Sequence, residues 1–297
     1  MILFTGLTGK SGSGLVNAMI KDHFPEKIRV VVRKTSNIDK IKNSGLDYEF
    51  VYGDIHDESF MTQAAEGCDV VFHIAAKASI GAVARAVSKT SSVKHCLMVS
   101  STSIYSAYHS SSEKLKMAEK QMHEAFESKG ISYTIIRPTM IYGLGDKSIS
   151  TFMRWLDRYP LFPIVDKGEA LLQPVYKDDI GKAFYLLLTH RDEDKNQEFI
   201  ISGDRAISLR ECLRIISDSI GKKTKFINIP LPVAKELVQI AFHISRGKID
   251  YREQLFRLTE NRAFDHDGIS NRFGFKPRPF EDGVAELARA YKAQKGS

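Results

Sequence analysis

Met1-Ile2-Leu3-Phe4-Thr5-Gly6-Leu7-Thr8-Gly9-Lys10-Ser11-Gly12-Ser13-Gly14 is the stretch from which the rest of the chain is read. Met1 to Phe4 is a short apolar run that reads as a buried strand. Glycines recur at 6, 9 and 12, and Leu15-Val16-Asn17-Ala18-Met19-Ile20 continues as a helix. Strand, glycine turn and helix in this order make a phosphate cradle. The first glycine permits a sharp turn, the second lets a pyrophosphate approach the backbone, and the third lets helix pack close to strand. The helix start adds free N–H groups and the positive end of the helix dipole. Gly6, Thr8, Gly9, Lys10, Ser11 and Gly12 are thus the expected diphosphate contacts. Gly9-Lys10-Ser11 also matches the tail of a nucleoside-triphosphate P-loop, but that motif needs glycine at position 4, which is Phe4, and a strand ahead of it. The plainer alternative is a strand–turn–helix with no ligand. A dinucleotide site is the expectation.

The bulk numbers set bounds. A chain of 297 residues holds one large domain or two smaller ones. Hydrophobic residues make up 43% and charged residues 27%, the balance of a water-soluble globular protein. The net charge of +7, from 43 basic and 36 acidic residues, suits an anionic cofactor or substrate. No block of five or six like charges is present, so nucleic acid is not an expected partner. Cys68, Cys96 and Cys212 have no C-x-x-C spacing, which argues against a disulfide framework and a structural metal site. Ile229 to Ile244, the longest apolar stretch, is broken by Pro230, Pro232, Lys235 and Glu236 and is too short to span a bilayer. A cytoplasmic protein with a small-molecule substrate is expected, with no membrane partner and a homodimer allowed.

Further along, Ile28-Arg29-Val30-Val31-Val32 is a second strand ending on Arg33-Lys34, twenty-one residues beyond Gly12. In an NAD site that spacing brings an acidic residue to the adenosine ribose. Here Arg33 and Lys34 stand there instead, and a guanidinium suits a 2′-phosphate. NADP(H) is the preferred cofactor on this reading, with NAD(H) still open. Tyr48 to Tyr52 is a third strand, followed by Gly53-Asp54, where Asp54 either accepts from the adenine amino group or caps the next helix. Val70 to Ala76 is a near-continuous apolar run, and its small Ala75 and Ala76 leave room for a cofactor over the strand end. His73 inside that run reads as a core residue. Cys96 to Val99 and Tyr133 to Ile136 are the fifth and sixth strands, flanking a helix with Leu115, Ala118, Met122 and Phe126 at helical spacing. Six strands alternating with helices predict an α/β fold with a doubly wound parallel Rossmann sheet. Residues 1–150 would form it, and 151–297 would be mainly a smaller substrate-binding region, with about 175–220 returning to the sheet.

Taken together, Thr5-Gly6-x-x-Gly9-x-x-Gly12, Gly53-Asp54, His73-x-Ala75-Ala76, Ser100-Ser101-x-x-Ile104-Tyr105, Arg137-Pro138-x-x-x-Tyr142-Gly143, Gln173-Pro174-Val175 and Gly274-Phe275-x-Pro277 resemble an extended or atypical short-chain dehydrogenase/reductase, the NAD-dependent epimerase/dehydratase group. The resemblance covers nearly the whole chain. It implies a nicotinamide cofactor, with Pro138 among its contacts, and Ser101 as a hydrogen-bond donor to substrate. It also implies a tyrosine acid/base with a lysine one helical turn later, which lowers its pKa and contacts the nicotinamide ribose. No register restores that Tyr-x-x-x-Lys pair, since Tyr108 is followed four residues on by Ser112. Tyr108 is the candidate acid/base, with Lys114 or Lys116 as its electrostatic partner; Tyr105, Tyr142, Tyr176 and Lys177 are further options. Three functions follow: an oxidoreductase acting on a carbonyl or alcohol, a nucleotide-sugar epimerase or dehydratase that retains NAD, or a non-catalytic NADP(H)-binding redox sensor or scaffold.

Overall fold

β-Branched and aromatic residues in short runs make six strands, all largely buried except the edge strand β3: β1 (Ile2–Thr5), β2 (Ile28–Val32), β3 (Tyr48–Tyr52), β4 (Val70–His73), β5 (His95–Val99) and β6 (Ser132–Pro138). A seventh, Gln197–Ile201, lies against β6. The sheet order is Gln197–Ile201, β6, β5, β4, β1, β2, β3, and every pairing is parallel. Ile2 stands opposite both Ile28 and Val70, so β1 lies inside the sheet between β2 and β4, where the strand order reverses. In such sheets the ligand crevice opens beyond the carboxyl ends of the strands at that reversal. The computed structural model describes residues 1–107, 109–248 and 250–295, with the side chains of residues 109–111 left out.

Both faces of the sheet are covered, as an all-parallel sheet requires. On one face lie α1 (Gly12–Lys21), with Leu15, Val16 and Met19 buried, α2 (Asp39–Lys42), and α7 (Lys177–Thr189). Full burial of such side chains contributes roughly 1.5–3 kcal/mol each. On the other face lie α3 (Glu58–Ala65), α4 (Ile80–Val87) and α5 (His109–Glu127), where Leu115, Ala118, Met122 and Phe126 are all buried. α1 and α7 meet at Gly14 and Gly181. A Cβ at Gly181 would come within 2.2 Å of the Gly14 carbonyl carbon, so the two backbones touch.

The remainder forms a third core around α6 (Ile149–Arg158), α8 (Leu209–Ser219) and the C-terminal α12 (Phe280–Lys295), reached through α9 (Leu231–Ile244), α10 (Arg252–Thr259) and α11 (Asp267–Phe273). Two parallel strands, Leu161–Val165 and Lys225–Ile229, pair there. α8 is entered through Ser208, whose hydroxyl accepts from Glu211 N at 3.1 Å. Arg278 ties this region back to the sheet: its guanidinium meets the buried Asp179 of α7 at 3.0 Å and Glu286 of α12 at 2.8 Å. No described helix is long and apolar enough to cross a membrane.

Candidate functional site

The turn after β1 folds as its glycines demand. Gly6 has φ +77°, and a Cβ there would come within 2.5 Å of Ala75 N, so the turn lies directly against the end of β4. Gly9 N donates to Gly6 O at 3.0 Å and Ser13 N to Gly9 O at 2.9 Å, closing the turn into α1. Among the described residues no side chain caps α1, which leaves its amino end facing the crevice. Around that end lies a cleft of about 450 Å³. Gly6, Thr8, Gly9, Lys10, Ser11, Arg33, Asp54, Ala75 and Ala76 all line it. Gly12, Lys34 and Pro138 are not part of its lining. Gly12 sits behind the turn, where a Cβ would meet Leu7 O at 2.5 Å.

Arg33 has no ion-pair partner among the described residues, and its backbone N donates to Ser36 Oγ at 3.1 Å. Asp54 accepts from His56 N at 2.9 Å, while the next helix is capped by Asp57, which accepts from Phe60 N at 3.0 Å. Asp54 is therefore spared the capping duty. Lys10 Nζ reaches across to Gly145 O, beyond β6. His73 is fully buried, with Thr5 Oγ1 at 2.7 Å from Nδ1 and Ser79 Oγ at 3.2 Å from Nε2. Burial lowers its pKa to about 4 and keeps the ring neutral, a satisfied core histidine.

A second pocket of about 230 Å³ opens at the ends of β5 and β6, lined by Ser101, Ser103, Tyr105 and Thr139 on one side and by Arg257, Glu260, Asn261, Arg262 and Phe264 on the other. Ser101 Oγ accepts from Ser103 N at 3.2 Å. Tyr105 lies over two neighbours, Phe264 with ring centroids 5.6 Å apart and the Arg137 guanidinium at 5.5 Å. Arg137 itself is buried, bonded to Glu119 at 2.6 Å and to Glu198. Burial opposes its charge, but the bonds from Glu198 and Glu119 outweigh that and raise its pKa. Ser100 Oγ donates to the same Glu119. Glu119, His123 and Glu198 present ligand atoms within 4.8 Å of one another, yet Arg137 already holds both carboxylates.

The catalytic candidates are dispersed. Ser101 lines the pocket. Tyr108 lies outside the described residues. Lys114 and Lys116 are exposed on α5 and line neither cavity; Lys116 pairs with Glu113 at 3.0 Å. Tyr142 and Tyr176 are buried in the third core, donating to Phe280 O at 3.3 Å and Glu286 at 2.8 Å, and burial raises both pKa values. A different lysine stands nearer: Lys77, next to Ala76, donates to Ser103 Oγ at 2.8 Å. The wall from Arg257 to Phe264 also carries no sequence signal. It is brought in by pairing, with Arg262 N donating to Leu171 O at 2.7 Å and Phe264 N to Gln173 Oε1 at 3.0 Å. Within that wall Glu260 accepts from Ser106 Oγ at 2.9 Å and Ala107 N at 2.8 Å. Arg262 Nε is buried without a hydrogen-bond partner among the described residues.

A seven-stranded parallel sheet with this strand order and glycine cradle is an NAD(P)-binding Rossmann fold of the extended short-chain dehydrogenase/reductase type. Within that class the chain belongs to the NmrA-like family, whose model matches residues 1–280. It is 25% identical to a UDP-glucose 4-epimerase of Vibrio cholerae, covering 98% of this chain and 95% of that one. It is 24% identical to an NAD(P)H azoreductase of Xenophilus azovorans over the full length of both. A mitochondrial NADH dehydrogenase [ubiquinone] 1 alpha subcomplex subunit 9 of Arabidopsis thaliana is 23% identical, but the match spans only 54% of this chain and 42% of that protein. Among solved structures, a dTDP-glucose 4,6-dehydratase from Streptomyces venezuelae with NAD bound superposes with a TM-score of 0.72 at 19% identity, over 100% of this chain and 98% of that one.

Proposed function

We propose that the protein is an NADP(H)-dependent oxidoreductase acting on a carbonyl or alcohol of a small molecule. The observation that carries this reading is Arg33: a guanidinium without a carboxylate partner among the described residues lines the cleft where an NAD site would place an acid. The cradle fits a dinucleotide, because a side chain at Gly6 would fill the space against Ala75. The cofactor supplies hydride. The chain's own residues bind and orient: the α1 amino end faces the diphosphate, Arg33 the 2′-phosphate, and Ser101 the substrate oxygen. The relative named as an NAD(P)H azoreductase supports redox chemistry on this scaffold.

Binding measured by fluorescence or calorimetry tests the reading. A charged hydrogen bond contributes ~1.5–3 kcal/mol, so NADPH should bind roughly tenfold to a hundredfold more tightly than NADH, and Arg33→Ala should erase the difference. Equal affinities in the wild type would remove the NADP preference; no binding of either would remove the function. A second reading, a nucleotide-sugar epimerase or dehydratase, is favoured by Arg257 and Arg262 in the wall of the Ser101 pocket, cations suited to a diphosphate. NAD retained through purification would select it. Tight NADP(H) binding without turnover would instead indicate a sensor or scaffold.

A further inference from the structure

The hydroxyls of the Ser101 pocket are not equivalent. Thr102 donates to Pro138 O at 3.2 Å, Thr139 to Gln173 O at 2.6 Å, and Ser106 to Glu260 at 2.9 Å. Their protons are spent inside the protein. Ser101 and Ser103 differ, because each is an acceptor: Ser101 Oγ from Ser103 N at 3.2 Å, and Ser103 Oγ from Lys77 Nζ at 2.8 Å. Among the described residues neither hydroxyl proton has an acceptor. A hydroxyl that accepts from behind directs its own proton away from that donor. Both serines line the pocket, so that direction includes the pocket interior.

Lys77 is placed at the joint of the two cavities. It follows Ala76, the last cleft-lining residue on β4's side, and its ammonium meets a serine of the substrate pocket. We propose that Ser103 is a second catalytic hydroxyl beside Ser101, and that Lys77 is the positioning residue that polarises it. The proposal rests on the oxidoreductase reading and supplies the acid that α5 does not provide through Lys114 or Lys116.

The chemistry balances for carbonyl reduction by a reduced nicotinamide dinucleotide. Hydride arrives at the carbonyl carbon, and the C=O π pair moves onto oxygen. That oxygen, held by the Ser101 and Ser103 hydroxyls, takes the Ser103 proton. Ser103 takes a proton from Lys77 Nζ, and the neutral amine regains one from water. Oxidation of an alcohol runs the same transfers backwards. Lys77 suits a relay. The residue as a whole is exposed, yet desolvation about its ammonium, with the positive charge of Arg257, lowers its pKa, while Glu253 opposes them. Among the described residues these two α10 side chains are the charged groups that act on it.

The test compares Ser103→Ala, Lys77→Met and Lys77→Arg with the full-length wild type. NADPH affinity is measured first; its absence in the wild type sinks the oxidoreductase reading and is distinct from the outcomes below. With the aldehyde or ketone that the wild type reduces best, Ser103→Ala and Lys77→Met should lower kcat about 10²- to 10³-fold, with NADPH affinity and melting temperature nearly unchanged. Lys77→Arg should restore little, because arginine keeps its proton. Full recovery with arginine, or a Ser103→Ala kcat within threefold of wild type, overturns the proposal. A second readout needs no substrate. After reductive ¹³C-methylation, the NMR signal that disappears in Lys77→Met should titrate below the bulk of the lysine signals. Titration together with them overturns the relay even if no carbonyl is reduced.

Discussion

A side-chain carbon placed on Gly6 would lie 2.5 Å from the backbone nitrogen of Ala75, so the cradle turn and the end of β4 are built against each other. Gly6→Ala meets two penalties at once, a φ of +77° and a clash with backbone that has nowhere to go. The expected loss is roughly 3 kcal/mol or more of stability, together with dinucleotide binding. Urea denaturation and a cofactor titration on the same sample check both. A variant of wild-type stability that still binds would mean that the turn is looser than described.

The Glu119–Arg137 pair gives a second expectation. Both side chains are buried, at 6% and 5% exposure, with 2.6 Å between them. Glu119→Ala leaves Arg137 paired only with the half-exposed Glu198 and Ser100 without its acceptor, so it should cost roughly 1.5–3 kcal/mol, more than an exposed pair could. Lys116→Ala, which breaks an exposed pair with Glu113, should cost under about 1 kcal/mol. Denaturant midpoints for the two variants should differ accordingly.

Acid should destabilise the fold below neutrality. Burial lowers the pKa of His73 and of His95 to about 4, from an ordinary value of 6.5. The folded state therefore binds fewer protons than the unfolded one between those values, and stability is complete above pH 6.5 and lost as the pH falls toward 4. Asp194 works the other way, since burial raises its pKa to about 6 from 3.8 and its contribution fades as the pH rises through 6. Two histidines against one carboxyl leave a net loss on the order of 4 kcal/mol from pH 7 to pH 4. Unfolding curves across that range should show it, with a shallower dependence in His95→Asn.

Arg262 keeps a buried Nε without a partner among the described residues, and desolvation lowers the pKa of its guanidinium. A buried polar atom left unsatisfied costs roughly 1–3 kcal/mol, and an apolar chain of similar length removes that cost. Arg262→Met should raise the melting temperature by about 2–4 °C. Scanning fluorimetry decides it; a lower melting temperature would show that the guanidinium is satisfied in solution.

The sheet was legible because its signals are local. Strand runs, the glycine spacing and the position of Arg33 each sit within a few residues of what they define. The apolar phase of α5 was equally plain: Leu115, Ala118 and Met122 face inward, which turns Lys114 and Lys116 outward. That phase was the signal against placing either lysine near a nicotinamide. The pocket wall was not legible, because Arg262 reaches the site by pairing beside Leu172, ninety residues earlier in the chain. The contact between Lys77 and Ser103 was hidden for the same reason, since a strand and a helix separate the two in the chain. Contacts of that separation leave no periodicity for a single sequence to display.

The backbone contact between Gly14 and Gly181 means that the cradle's own helix is seated by a helix from the second half of the chain. A gene cut anywhere between them would give two products, each with a bare oily flank, and neither should be recoverable alone. Produced together, the pieces would have a reason to find each other, and ligand capture would return only with reassembly.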